Sequence, residues 1–358
     1  MSSPLGLIPS GKIVAFPEAA IRHRQAPAAR GTRAGAIAMA LLAAALVLGL
    51  GVLGNAWWTA RRLADRIGRV AGAFALPETS RPVRPSEAGR SLNILVAGLD
   101  GEQRTASIQG ARSDAVMVLH ISADRRHAWV VSVPRDTWVQ VPGRGTHKLN
   151  ASYSIGGPAL FVQTMELLTH LRMDHLVVVD WTGLRQLTDA LGGVPVSLLM
   201  PATARADSSR GDVALEFDGN TALPWVSERK HLSGGDFDRV KRQQYFVRAV
   251  FRRLSDRNTL GDPVALRALA TSLGDGVRVD AGFTTDEMLR LAVSLRSLRA
   301  DQVTFLTAPI AGTGMEGDAS VLYHDDDHGA RLWSAMARDR MDTFMAAHAR
   351  LVTAEHVR

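Results

Sequence analysis

Over residues 93–158 three short apolar runs rich in β-branched side chains each adjoin charged residues, and this pattern constrains the fold more than any other feature. NILVAG leads to Asp100, ARSDAVMVLHIS carries Arg112 and Asp114, and AWVVSVPRDTWV leads into Arg135 and Asp136. Lys148 and Asn150 follow in HKLNASYSIGGP. Strand ends that present carboxylates beside guanidinium groups suit a metal-bound, negatively charged ligand. The metal takes hard oxygen ligands and the anion takes planar paired donors.

Strands are expected at residues 93–97, 115–121, 128–133, 176–180, 194–199 and 302–307, all short and rich in Val, Ile and Thr. Between several of them lie helical patterns. Gly156 and Gly157 form a turn into a helix that Pro158 opens at a first-turn position, with Phe161, Met165 and Leu168 on its apolar stripe. A second helix carries Trp181, Leu184, Leu187 and Leu191 on one face and ends at Gly192 and Gly193. A third begins near Asp236 and turns Val240, Val247, Phe251 and Leu254 inward; others are expected at 263–273, 285–298 and 330–347. Strands alternating with helices predict an α/β domain layered with helices on both faces of one sheet.

The chain is basic, with a net charge of +7, but the charge is not spread evenly. Residues 1–92 hold twelve Lys and Arg against four acids, so the remainder is close to neutral. That distribution excludes a nucleic-acid footprint on the folded part. Residues 1–33 read as a disordered basic arm. Residues 34–54 contain no charged side chain and lead to Trp57 and Trp58, so 34–58 is expected to be one transmembrane helix. Basic residues flank it on both sides, and charge does not orient it. Residues 59–90 read as a juxtamembrane segment and a proline-containing linker, with the folded domain over 91–345 and a tail over 346–358. The absence of cysteine removes disulfides and thiolate chemistry.

Arg239 and Gln243 stand four apart and share a helix face. Upstream, ERKHLSGGD places Arg229, Lys230 and His231 before a Gly-Gly turn, so Arg229, Arg239 and Arg242 form a second basic set. Arg suits a phosphate gripped at two points because its planar fork offers paired donors. His324-Asp-Asp-Asp-His328 is read as a solvated acidic loop, and Asn150-Ala-Ser152 is a weak glycosylation match. No GxxxxGK[ST] loop is present, which disfavours an ATP-driven kinase.

ARSD, SVPRDTWV, KLNASYSIGGP, VVVDWTGLRQLTDALGGVPV and GGDFDRVKRQQ occur in the order and spacing of the LytR–CpsA–Psr family, which this chain resembles over about residues 91–345. The resemblance implies an extracytoplasmic three-layer α/β/α sandwich around a central mixed sheet, preceded by one membrane helix. It further implies Mg²⁺-assisted transfer of a glycopolymer from a polyprenyl-pyrophosphate carrier onto peptidoglycan as a phosphodiester. By motif, Asp100 and Asp114 match the acidic pair near the metal. Arg112, Arg229, Arg239 and Gln243 match the pyrophosphate cluster, with Arg242 beside them. Arg135 and Asp136 fill the PRD motif, and Lys148 and Asn150 line the site. Arg112, Asp114, Arg135 and Asp136 are the expected catalytic group, with Asp114 or Asp136 taking the acceptor proton. Val116, Val118, Phe161, Met165 and Val247 are candidates to line a tunnel for the lipid tail.

One position departs from the family. Ser227 stands where an Arg-x-Arg pair usually has its first arginine, ahead of Arg229. The loss of a guanidinium makes polyprenyl-pyrophosphate hydrolysis an alternative expectation, and a non-catalytic lipid-carrier-binding or regulatory membrane protein is another. The Ala-, Arg- and Gly-rich composition resembles that of high-GC actinobacteria.

Overall fold

A computed structural model describes residues 67–99, 113–199, 212–228, 236–255, 276–295 and 297–352. All of them belong to one unit, Trp57–Arg358. The basic arm, the membrane helix expected at 34–58 and the helix expected at 263–273 lie outside the described residues. Among the described residues no helix is long and apolar enough to cross a membrane.

In chain order the strands and helices are β1 (Gly68–Val70), β2 (Leu92–Leu99), β3 (Ser113–Ile121), β4 (Ala128–Val133), β5 (Thr137–Val141), β6 (Gly145–Lys148), α1 (Leu149–Thr169), β7 (His175–Asp180), α2 (Trp181–Ala190), β8 (Val194–Leu199) and β9 (Asp212–Phe217). Then follow α3 (Gly219–Ser227), α4 (Asp236–Ser255), β10 (Val277–Asp280), α5 (Thr285–Ser294), β11 (Val303–Thr307), β12 (Ile310–Glu316), β13 (Ala319–His324), α6 (Asp326–Ala337) and α7 (Met341–Ala347).

The main sheet runs β1-β10-β7-β2-β3-β4-β11. β2, β4, β7 and β11 point one way and β1, β3 and β10 the other, so the sheet is mixed, as expected. Side chains alternate across it. Leu95, Val116, Val118, Val131 and Val178 join Phe161, Met165, Leu332 and Trp333 of α1 and α6 on one face. Val96, Met117, Leu119 and Val130 meet Val247 and Phe251 of α4 on the other. Two apolar faces, each needing a cover, explain the helical layer on either side.

Helix α1 breaks at Gly156 and Gly157, where Gly157 has φ +65°, and resumes at Pro158 as the sequence predicts. The single helix expected over 330–347 is two, α6 and α7. Asp339 between them takes φ +53°, and its carboxylate accepts the Ala123 N–H at 3.0 Å while its other oxygen lies 3.1 Å from His120 Nε2. The small sheet β12-β13-β5-β6 was largely unexpected. β12 reads IAGTGME, whose glycines and small residues give no apolar/polar alternation in the sequence to mark a strand.

Residues 68–90, expected to belong to a juxtamembrane segment and linker, are built into this unit. β1 pairs with β10. Arg81 then reaches α1: its Nη2 lies 2.6 Å from Glu166 Oε1, with both side chains over nine-tenths buried, and Glu166 also accepts the Met173 N–H at 3.0 Å. Arg84 pairs with Asp174 at 2.7 Å. Removing one partner of a buried pair leaves the other charged and desolvated, so Glu166→Ala is expected to cost about 3 kcal/mol of unfolding free energy in urea titration.

His175 starts β7 between β10 and α5. Its Nδ1 lies 3.2 Å from Asp280 Oδ2, its Nε2 lies 3.5 Å from Glu287 Oε1, and its ring stacks on Phe283. Burial pulls its pKa down, but the Asp280 hydrogen bond and the charges of Asp280, Glu287 and Asp174 outweigh it, and the net shift is upward. A folded pKa above the unfolded value makes the protonated ring stabilising. That contribution is full below the usual 6.5 and fades as pH rises through the folded value. The urea midpoint is therefore expected to fall between about pH 6 and 8, and to fall less in His175→Gln.

Candidate functional site

Because β2, β4, β7 and β11 run parallel, their carboxyl ends share one edge of the sheet with the amino end of β3. Leu99 pairs with both Asp180 and Ser113, and Val133 with Val116. In open α/β sheets ligands bind beyond this edge. Pro134 ends β4, because it has no N–H for the ladder. Thr137 closes a tight turn by donating its N–H and Oγ1 to the Pro134 carbonyl at 3.1 and 2.6 Å. The turn lifts Arg135 and Asp136 out of the strand.

Four of the expected residues meet there in a chain of alternating charge. Arg135 Nη1 donates to Asp114 Oδ1. Arg135 Nε lies 3.7 Å from Asp136 Oδ2, and Lys148 Nζ lies 3.0 Å from Asp136 Oδ1. The Asn150 N–H donates to the Arg135 carbonyl at 3.1 Å and fixes the start of α1 against the turn. The Arg135 side chain is 8% exposed and that of Lys148 27%, so the guanidinium forms the floor and the ammonium the rim.

Helix α4 lies over the same edge. Gln244 Nε2 donates to the carbonyl of Leu306 at 2.8 Å and to Thr307 Oγ1 at 3.2 Å, at the end of β11. Gln243 and, one turn earlier, Arg239 share a buried face of this helix. Arg242 turns instead to α3: its guanidinium sits 5.1 Å from the Trp225 ring centroid, and Nη1 donates to the Trp225 carbonyl. Burial lowers its pKa, against the raising effect of Glu228 and Asp238. Asp100, Arg112 and Arg229 lie outside the described residues. Ser227, at the departure from the family pattern, spends its hydroxyl on the Leu223 carbonyl within α3.

Beneath the edge, between the sheet and α2, α4 and α5, is an apolar cavity of about 390 Å³. Ala115, Met117, Leu119 and Ile121 line it along the whole of β3, a run of about 20 Å. Phe246, Val247, Val250 and Phe251 close it from α4, and Asp180 and Gln243 are its polar lining. Of the expected tunnel residues Val247 is in place. Val116, Val118, Phe161 and Met165 belong to the core on the opposite face. In a strand of period two, Val116 and Val118 face away from the surface that Ala115 and Met117 present.

Asp180 was not among the expected site residues. Its carboxylate accepts the Gly183 N–H at 2.7 Å and lies 3.7 Å from Arg278 Nη2. VVVDWTGL does signal a helix cap, but only the pairing of β7 with β2 brings that cap to the cavity. Gly183 is required there: a Cβ would lie 2.3 Å from the backbone of Gly276.

Other motifs are structural. Asp325 caps α6, accepting the His328 N–H at 3.0 Å, so His324–His328 opens a helix rather than a solvated loop. Ser152 is buried and donates to the Leu149 carbonyl, which disfavours a glycosylation acceptor. Among the described residues no group of three metal-ligating side chains occurs. Asp114, the described member of the expected metal pair, offers hard oxygens at this edge, which fit a Mg²⁺ completed by phosphate oxygens and water.

The chain matches the family model described as "LytR_cpsA_psr family" over residues 72–338. It is 33% identical over 228 residues to "Probable cell wall biosynthesis protein LcpB" of Corynebacterium glutamicum, covering 63% of this chain and 53% of that one. It is also 33% identical over 190 residues to "Polyisoprenyl-teichoic acid--peptidoglycan teichoic acid transferase TagU" of Halalkalibacterium halodurans, covering 52% and 60%. The chain thus spans between half and two thirds of the length of these relatives. Its fold superposes on "LytR-Csp2A-Psr enzyme from Actinomyces oris" with a TM-score of 0.58 at 22% identity, over 76% of this chain and 96% of that one. With three quarters of its length matched by the family model and the fold in agreement, the chain belongs to the LytR_cpsA_psr family.

Proposed function

We propose that this chain is a membrane-anchored phosphotransferase that moves a glycopolymer from a polyprenyl-pyrophosphate carrier onto peptidoglycan. The observation that carries the reading is an apolar cavity long enough for several isoprene units, opening at an edge where Asp114, Arg135, Asp136 and Lys148 are paired. A greasy tail joined to a diphosphate is the chemistry that such a slot and edge fit together. The name of the TagU relative supplies the carrier and acceptor classes. Residues 34–58 hold the chain in the membrane, 1–33 stay cytoplasmic, and the folded part, from about residue 67 onward, works outside.

In the reaction the acceptor hydroxyl oxygen bonds to the sugar-linked phosphorus. The bond from that phosphorus to the bridging oxygen breaks, and polyprenyl phosphate leaves with the electron pair. The hydroxyl proton passes to Asp114 or Asp136. Arg135 and Lys148, with Arg112, Arg229, Arg239 and Gln243 as further donors, hold the phosphate oxygens and offset their charge. Asp114 and Asp100 would hold a Mg²⁺, which when bound would supply Lewis-acid neutralisation of the diphosphate. No protein nucleophile is needed, because catalysis of such transfers is positioning plus electrostatics.

The test is to incubate the purified chain with Mg²⁺, a lipid-pyrophosphoryl oligosaccharide and peptidoglycan fragments. Sugar covalently attached to peptidoglycan supports the proposal. Release of lipid phosphate without attachment means hydrolysis, and recovery of the intact lipid means a carrier-binding protein.

A further inference from the structure

A second cavity, of about 650 Å³, lies on the other side of the molecule's main sheet, between the end of α1, the start of α6 and the small sheet. Strands β5 and β13 pair only at Thr137–Leu322 and Trp138–Tyr323. Beyond that pairing the cavity is bordered by Gln140, His170, His324 and Asp326, with Trp138 and Tyr323 as partly exposed rings. The Tyr323 ring lies against Gly314, where a Cβ would come within 2.5 Å of it, and its hydroxyl donates to Glu316 at 2.8 Å. The ring is thus held in a set orientation.

Strand β5 links this cavity to the charged edge. Asp136, Trp138 and Gln140 alternate onto one side of β5. Lys148 is the cross-strand partner of Trp138 and reaches back to Asp136, while Thr146 pairs with Gln140 and donates to its Oε1 at 3.2 Å. Asp136 and Trp138 stand two positions apart, so an aromatic surface lies one residue from a carboxylate at the reacting edge.

We propose that this notch binds a sugar unit of the acceptor glycan, Trp138 and Tyr323 packing on pyranose C–H faces and Gln140, His170 and Asp326 meeting its hydroxyl and amide groups. The inference rests on the transfer reading above. A pyranose presents apolar faces ringed by hydroxyls, and rigid rings among short polar side chains match that surface. The volume falls in the usual range for small-ligand sites, roughly 300–1,000 Å³. The side of the sheet selects the acceptor: the carrier's apolar cavity lies under α4, whereas the notch lies under α1 and α6, so the two substrates approach the edge from opposite faces.

The test uses the full chain in detergent with a β-1,4-linked N-acetylglucosamine tetramer as probe, monitored by tryptophan fluorescence and by calorimetry. The tetramer is expected to bind, Trp138→Ala to weaken it by about tenfold, and Trp138→Phe to restore most of the affinity. In the transfer assay Trp138→Ala is expected to raise the acceptor KM more than the donor KM. No binding of the tetramer, or binding indifferent to Trp138→Ala, overturns the proposal, and so does a rise confined to the donor KM. Transfer onto peptidoglycan with the acceptor KM unchanged in Trp138→Ala sinks the subsite alone. Tetramer binding sensitive to Trp138 in a chain that never turns the carrier over sinks the transfer reading alone.

Discussion

Replacing Arg135 by alanine is expected to lower the rate of glycopolymer transfer by about two to three orders of magnitude, the usual effect of deleting one preorganised donor to a developing anionic charge. Arg135 donates to Asp114, faces Asp136 and is itself almost buried, so no neighbouring solvent replaces its hydrogen bonds. Arg135→Lys keeps the charge but loses the planar fork, and its rate is expected to fall between the two. Because the ion pair with Asp114 also holds the turn, circular dichroism and the urea midpoint of each variant separate lost chemistry from lost fold. Single-turnover transfer by Arg135→Ala at the wild-type rate, in a folded protein, would remove this residue from the site.

Val247→Phe is expected to have effects of opposite sign on stability and function. Val247 borders the apolar cavity from α4, and a phenyl ring enters open space there rather than a packed core. The usual overpacking cost of about 1–3 kcal/mol is then relieved, and the urea midpoint stays level or rises. The ring also occupies the path of the lipid tail. Binding of a polyprenyl-pyrophosphoryl oligosaccharide is expected to weaken by at least about tenfold, each buried methylene of the tail carrying about 0.8 kcal/mol. A short water-soluble analogue without the tail should be turned over as before. Unchanged affinity for the long-chain carrier would show that this cavity is not the tail's site.

Much of the fold was legible because its central strands are buried on both sides. β2, β3, β4 and β7 are continuous apolar runs whose expected limits fall within a residue or two of those observed. The turn at Gly156 and Gly157 and the start of α4 follow from glycine, proline and amphipathic spacing. The small sheet is not legible because β12 is largely exposed and glycine-bearing and β13 is only partly buried, so their pairing, not their composition, makes them strands. Which face of β3 borders the cavity is not legible in the sequence for a related reason. A fully apolar strand shows no polar face, and Val116 and Met117 look equally internal until one helix layer is packed tightly and the other leaves a gap.

By itself the sequence determined the residue types of the site and their family pattern: PRD at 134–136, Lys148, Asn150, and the Arg239–Gln243 face of one helix. It also set the distribution of charge that argues against nucleic acid. Tertiary structure alone decided that Asp114 faces Arg135, that Arg242 turns to Trp225, that Asp180 borders the cavity, and that Trp138 and Tyr323 share a notch. Those outcomes depend on which strands lie side by side and in which register. Contacts between residues 17 to 185 positions apart are set by how the layers pack on the sheets, and no local pattern along the chain encodes them.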